Sequence, residues 1–166
     1  MRKGATMTRR GFVGMLGALF AARGALAASS EAAGNVQKLE LPEGEWKKRL
    51  TAEQFAVLRE EHTERAGTSA LLGEHRKGTF ACAGCDLALF DSSTKFESGT
   101  GWPSFYNYVP GHLETKTDFK LIVPRTEYHC ARCGGHQGHV FDDGPAPTGK
   151  RYCNNGLALR FVAASV

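Results

Sequence analysis

Hydrophobic positions follow two regimes along the chain, divided near Gly78. Upstream, Leu50, Phe55, Leu58 and His62 make a sparse stripe at helical spacing. The stripe begins at Thr51-Ala52-Glu53-Gln54, which has the S/T-x-x-E/Q form of a capping box. That predicts a helix from Thr51 to about Arg65, with Gly67 as its stop. Downstream, short apolar runs at Lys120–Pro124, Tyr128–Ala131 and Leu157–Val162 alternate with Gly, Pro and Asp. Strands cut by such punctuation predict a mainly β protein of antiparallel type, at the α+β margin.

Ahead of the helix, residues 28–38 are small and polar and read as a flexible lead-in, with the folded domain expected over 45–166 and the lead-in over 28–44. Residues 1–27 read as an address. Positive charges precede Gly11 to Ala22, a stretch without charge, and Ala25 and Ala27 make a small-x-small cleavage signature. That stretch is shorter than the ~20 residues a membrane-crossing helix needs, so the expectation is a cleaved signal and no stable membrane anchor afterwards. Thr8-Arg9-Arg10-Gly11-Phe12-Val13 resembles a twin-arginine signal, which exports proteins already folded, and predicts a periplasmic or otherwise exported bacterial protein.

Composition then narrows the classes. At 42% hydrophobic and 23% charged residues, the 166-residue chain is neither collagen-like, coiled coil nor wholly disordered. Its 20 glycines favour turns over a helical bundle. The net charge of +4 misleads. Residues 1–27 hold five basic and no acidic side chains, so the remainder carries 16 Lys+Arg against 17 Asp+Glu. A nucleic-acid partner argued from charge therefore fails.

Five cysteines carry the chemistry. Cys82-Ala83-Gly84-Cys85 and Cys130-Ala131-Arg132-Cys133 are two C-x-x-C knuckles. Two residues between cysteines let both sulfurs turn to one ion, and Zn²⁺ takes four at ~2.3 Å in a closed tetrahedron. With 44 residues between the knuckles, one ion would staple remote segments. Two disulfides, a redox-active pair and iron in the same cage compete with structural zinc. Folding before export, with the thiols already capped by metal, favours zinc.

Cys153 stands apart, in Arg151-Tyr152-Cys153-Asn154-Asn155. On a strand, Arg151, Cys153 and Asn155 share one face, and a guanidinium beside a thiol favours the thiolate. Polar flanks argue against an inert buried cysteine. His136 and His139, in Gly134-Gly135-His136-Gln137-Gly138-His139, follow the second knuckle. Since four thiolates close a zinc shell, proton donation near a sulfur nucleophile suits them better than ligation. Trp102, in Gly99-Thr100-Gly101-Trp102-Pro103-Ser104-Phe105, is either core or an aromatic wall for a small apolar group.

Taken in order, Trp46, Thr63-Glu64, the two knuckles, Lys95-Phe96-x-Ser98-Gly99-x-Gly101-Trp102-Pro103-Ser104-Phe105, His136-x-Gly138-His139-Val140-Phe141 and Gly149-x-Arg151-Tyr152-Cys153-x-Asn155 closely resemble the B-type peptide methionine sulfoxide reductases. The resemblance spans about residues 45–162. It implies two antiparallel sheets with a few peripheral helices, stapled by zinc on Cys82, Cys85, Cys130 and Cys133. It also implies thiol-dependent reduction of the R epimer of methionine sulfoxide, in oxidised protein or peptide. In that setting Cys153 is the nucleophile and ends as a sulfenic acid. His136 and His139 are the pair near the sulfoxide, Trp102 cradles the S-methyl group, and Arg151 and Asn155 tune the thiolate.

One position departs from the family. Many members carry a resolving cysteine where this chain has Thr100, and there is no sixth cysteine. Regeneration is therefore expected from a thioredoxin-like partner or a small thiol. A monomer is expected. The competing classes are a zinc-ribbon nucleic-acid binder and a metal-stabilised binding domain; the latter predicts that Cys153→Ser is silent.

Overall fold

The computed structural model describes Met1 and residues 36–120 and 123–165. The twin-arginine signal over 1–27 lies outside the described residues, as do residues 28–35 of the lead-in. Residues 1–31 and 32–166 separate into two units, and the second is described here.

Two short helices open that unit. Helix α1 spans Glu43–Arg49 and α2 spans Ala52–Glu60. The capping box at α2 is formed: Thr51 accepts from the Gln54 N–H at 3.1 Å, and Gln54 Oε1 accepts from the Thr51 N–H at 3.1 Å. The helix stops earlier than its sequence predicts. Glu61 takes left-handed φ 57° and the Ala56 carbonyl accepts from the His62 N–H, so the stop precedes Arg65 and Gly67. His62 is exposed, and Val57 joins Phe55 and Leu58 on the buried face instead. Helix α1 has no counterpart in the apolar pattern, because Trp46 is its one buried side chain. Over the described part of the lead-in, Val36, Leu39 and Leu41 pack on the core, and Leu39 N–H donates to the Arg132 carbonyl at 2.7 Å.

Among the described residues nine strands follow: β1 Gly78–Cys82, β2 Ala88–Asp91, β3 Lys95–Phe96, β4 Ser104–Phe105, β5 Leu113–Asp118, β6 Arg125–Cys130, β7 His136–Phe141, β8 Arg151–Asn154 and β9 Leu159–Ala163. They pair antiparallel in two sheets, one ordered β2-β1-β9 and one ordered β3-β4-β8-β7-β6-β5. The mainly β expectation, with peripheral helices, holds. Two runs are placed differently from their apolar pattern. Leu157 and Ala158 belong to a 3₁₀ turn before β9. Lys120, Val123 and Pro124 lie between β5 and β6, because the Asp118 carboxylate turns the chain by accepting from the Lys120 N–H at 2.8 Å.

The core joins the sheets through aromatic rings. Phe80 and Phe90 of the small sheet and Phe105 and Tyr128 of the large one are each 0% exposed. Phe90 stacks on Phe105 with ring centroids 4.1 Å apart, and Phe80 meets Phe105 edge-on at 4.9 Å. Each such ring contributes roughly 2–3 kcal/mol by leaving water.

Candidate functional site

The knuckles sit at the ends of two hairpins from different sheets. Cys82 ends β1 and Cys130 ends β6, and each tight turn carries the second cysteine. Asp86 and Gly134, the residues after those second cysteines, take left-handed φ of 63° and 66°. All four sulfurs lie within 4.8 Å of one another, with Cys82–Cys133 at 3.7 Å and Cys85–Cys130 at 3.5 Å. A tetrahedron with ~2.3 Å metal–sulfur bonds has edges of about 3.8 Å, whereas a disulfide needs ~2.05 Å. The cage therefore fits a four-sulfur ion and not two disulfides. An ion there would tie the β1–β2 hairpin to the β6–β7 hairpin. Leu58 and Trp46 cover the knuckles, each 3.7 Å from where a side chain at Gly84 would begin. Arg59 fastens α2 to them by donating to the Cys133 carbonyl at 2.8 Å.

Cys153 lies elsewhere, in a shallow cleft of about 120 Å³ on the large sheet. Strand register assembles this site. One row of cross-strand partners runs Ser104, Cys153, His139, Glu127, Lys116 through five strands. Gly138 lets β7 come close to β8: a Cβ there would stand 1.9 Å from the Cys153 carbonyl oxygen. Residues 136 and 139 on a regular strand would face opposite sides. The β6–β7 pairing instead gains an extra residue, Gln137, between the His129–His136 and Tyr128–Gly138 pairs. That bulge returns His136 to the His139 side, with the two rings 5.6 Å apart.

Each histidine is held by its own carboxylate. His139 and Asp118 meet at 2.8 Å through Nε2, and His136 and Glu127 at 2.8 Å through Nδ1. The Lys120 N–H, His139 and Arg125 together keep the Asp118 carboxyl well below its usual range. Burial acts upward on Glu127, but His136 and Lys116 hold it below the ordinary carboxylate value. Both carboxylates are thus acceptors, so Nε2 donates in His139 and Nδ1 donates in His136. The free His136 Nε2 is buried and finds no partner among the described residues. Burial lowers the His139 pKa, opposed by Asp118.

Trp102 forms one wall of the cleft with Thr63, and its indole Nε1 donates to the Glu64 carbonyl at 3.1 Å. His139, Arg125, Phe141 and Asn155 also line it. The Glu64 carboxylate, 8% exposed, accepts from the backbone N–H groups of Gly156 and Leu157, and the Glu64 N–H donates to Asn155. Thr63-Glu64 therefore fixes both walls. At Cys153, burial pushes the thiol up, while the Thr100 hydroxyl and the Arg151 guanidinium pull it down; burial prevails. Arg151 is itself bound by Asp143 at 2.8 Å through two nitrogens and stacks on Phe141.

A family model described as the SelR domain matches residues 50–163. The chain is 51% identical over 142 residues to chloroplastic peptide methionine sulfoxide reductase B1 of Arabidopsis thaliana, spanning 81% of this chain and 70% of the relative. It is 52% identical over 124 residues to peptide methionine sulfoxide reductase MsrB of Methanosarcina barkeri, covering 74% and 87%. With MsrB of Leptospira interrogans the identity is 52% over 118 residues, covering 70% and 90%. The chain belongs to the MsrB family.

Within that family frame, the structure brings Trp102, His139, Cys153 and Asn155 together in the cleft, with Arg151 beside the sulfur and His136 behind His139. The Asn155 amide accepts from the Glu64 N–H and donates to the Gln137 carbonyl. Asp118, Glu127, Arg125 and Phe141 escaped the sequence reading. They become visible only through strand register, since the two carboxylates lie 21 and 9 residues from the histidines they hold.

Proposed function

We propose that this MsrB uses Cys153 to reduce the R epimer of methionine sulfoxide in oxidised protein or peptide. Family membership makes the chain a methionine-R-sulfoxide reductase, an oxidoreductase. The observation that carries the site assignment is the cross-strand pairing of His139 with Cys153 in a cleft walled by Trp102. The indole receives the S-methyl group and the Cys153 thiolate attacks the sulfoxide sulfur. A histidine supplies the proton to the oxygen. The substrate S–O bond and the transient S–S bond then break as the hydroxyl passes to Cys153, which is oxidised by two electrons to a sulfenic acid while the substrate sulfur is reduced to the thioether. As the imidazolium, with a second proton beside the one given to Asp118, His139 is the better placed donor, because it lines the cleft and His136 does not.

Thr100 supports regeneration from outside. Its hydroxyl lies 3.9 Å from the Cys153 sulfur, and a hydroxyl cannot form a disulfide with it. Two equivalents of an external thiol, or one dithiol of thioredoxin type, return Cys153 to the thiol and release water. The four knuckle cysteines hold structural zinc, whose role is to tie the hairpins; no electron passes through it. The signal reading of residues 1–27 supports export to the periplasm, and the protein acts as a monomer.

Turnover of the R and S epimers with dithiothreitol, in wild type and Cys153→Ser, tests this. Consumption of R alone, abolished by the substitution, is expected. Activity surviving in the variant would move the chemistry to another cysteine.

A further inference from the structure

Thr100 is one end of a row of hydroxyls that the reaction leaves unexplained. Its Oγ1 is 3.9 Å from the Cys153 sulfur and 2.9 Å from Ser98 Oγ. Ser98 Oγ is 2.7 Å from Ser104 Oγ, and Ser104 donates to the Trp102 carbonyl at 3.1 Å. Ser104 is 1% exposed and is the β4 partner of Cys153 in register, so the sheet fixes both ends of the row.

A hydroxyl both donates and accepts, and its proton rotates freely. With Cys153 as thiol, the row runs one way: S–H to Thr100, Thr100 to Ser98, Ser98 to Ser104, Ser104 to the Trp102 carbonyl. When the sulfur loses its proton it becomes acceptor only. The row can then reverse, Ser104 to Ser98, Ser98 to Thr100, Thr100 to sulfur, without any heavy atom moving. Aligned in series, each bond polarises the next, so the donation reaching the sulfur exceeds that of one isolated hydroxyl.

The charged and titratable groups around the sulfur have other partners as well, and of them Arg151 also acts on the sulfur directly. Arg151, on the same strand, is bound by Asp143 from the loop before it. His139 on β7 is tied to Asp118, and Arg125 on β6 to the same carboxylate. The Tyr128 hydroxyl on β6 donates to Asn154. Thr100 is left as the hydroxyl that faces the sulfur, among the described residues.

We propose that Thr100, backed by Ser98 and Ser104, is a positioning residue whose reversed hydroxyl row favours the attacking thiolate of Cys153 against its burial. This rests on Cys153 being the nucleophile. The test reads ionisation without substrate or reductant: the rate of Cys153 alkylation by iodoacetamide against pH, in the full-length metal-replete protein, with the alkylated peptide identified by mass. Thr100→Val should slow alkylation about tenfold near neutral pH and move the profile up by about one unit. Ser98→Ala should slow it about threefold, and Thr100→Ser should restore wild-type behaviour within about twofold.

Wild-type profiles in both Thr100→Val and Ser98→Ala would overturn the proposal, as would a Val shift that Ser does not rescue. Should Thr100→Val fail to fold, an unchanged Ser98→Ala profile alone overturns it. The two readings fail separately: turnover surviving in Cys153→Ser removes the nucleophile assignment while leaving the profiles to judge the row.

Discussion

The knuckle sulfurs and the Cys153 sulfur are the same functional group in opposed settings. Cys82, Cys85, Cys130 and Cys133 are at most 8% exposed, sit at hairpin ends and face one another, with the Gln137 amide also donating to Cys82 at 3.4 Å. Cys153 is half-buried in the middle of a strand, and its neighbours are a hydroxyl, a guanidinium and an imidazole-bearing strand. Four thiols facing one another suit a cation that neutralises them all, which removes their nucleophilicity. One thiol facing oxygen and nitrogen donors keeps its lone pairs for a substrate. Burial is thus a poor guide to which cysteine reacts; what each sulfur faces decides it.

The largest effect that would sharpen this contrast is loss of the metal. Cys130→Ser, or chelation under denaturing conditions followed by refolding without metal, should prevent cooperative folding, since a four-thiolate ion contributes roughly 10–16 kcal/mol of apparent binding free energy. Circular dichroism melts with metal analysis check this, and a variant that melts like wild type without bound metal would break the comparison. Cys153→Ser is the mirror experiment. Turnover should drop at least about a thousandfold while the melting midpoint changes by no more than ~1 kcal/mol equivalent.

Smaller effects test how the site is held. Asp118→Asn removes the carboxylate that orients His139, and should lower turnover about tenfold to a hundredfold. The same substitution bears on pH. Asp118 and Glu127 have depressed pKa values in the folded protein, so their stabilisation is present above the ordinary carboxylate range, about pH 4, and is lost as pH falls below it. Urea melts from about pH 6 down to 3 should show the wild type losing stability more steeply than Asp118→Asn, by about 1 kcal/mol. Parallel slopes would show that Asp118 is not specially stabilised in the fold. The smallest change is Thr100→Cys, which supplies a thiol where the hydroxyl now lies. After one turnover without reductant it should form an internal disulfide with Cys153, seen by mass spectrometry. The wild type should instead yield a sulfenic acid that a dione reagent captures.

Local signals were readable where the chemistry is local. The capping box at Thr51, the spacing within each knuckle and the polar flanks of Cys153 rest on neighbours a few residues apart. Helix α1 was not readable, because one buried tryptophan makes no periodic stripe. The Lys120–Pro124 run misled, because apolar content says nothing about the Asp118 turn that ends β5.

The sequence by itself determined the two classes of cysteine, the antiparallel β character and the family to which the motifs belong. Those follow from residue types at fixed short spacing, which the backbone converts into local geometry without help. Only the tertiary structure decided that Asp118 and Glu127 hold the two histidines, that a bulge at Gln137 turns both to one side, and that Thr100, Ser98 and Ser104 line up on Cys153. These depend on strand register. A shift of one residue sends every side chain to the other face, and register is set by the packing of the whole sheet rather than by any one segment.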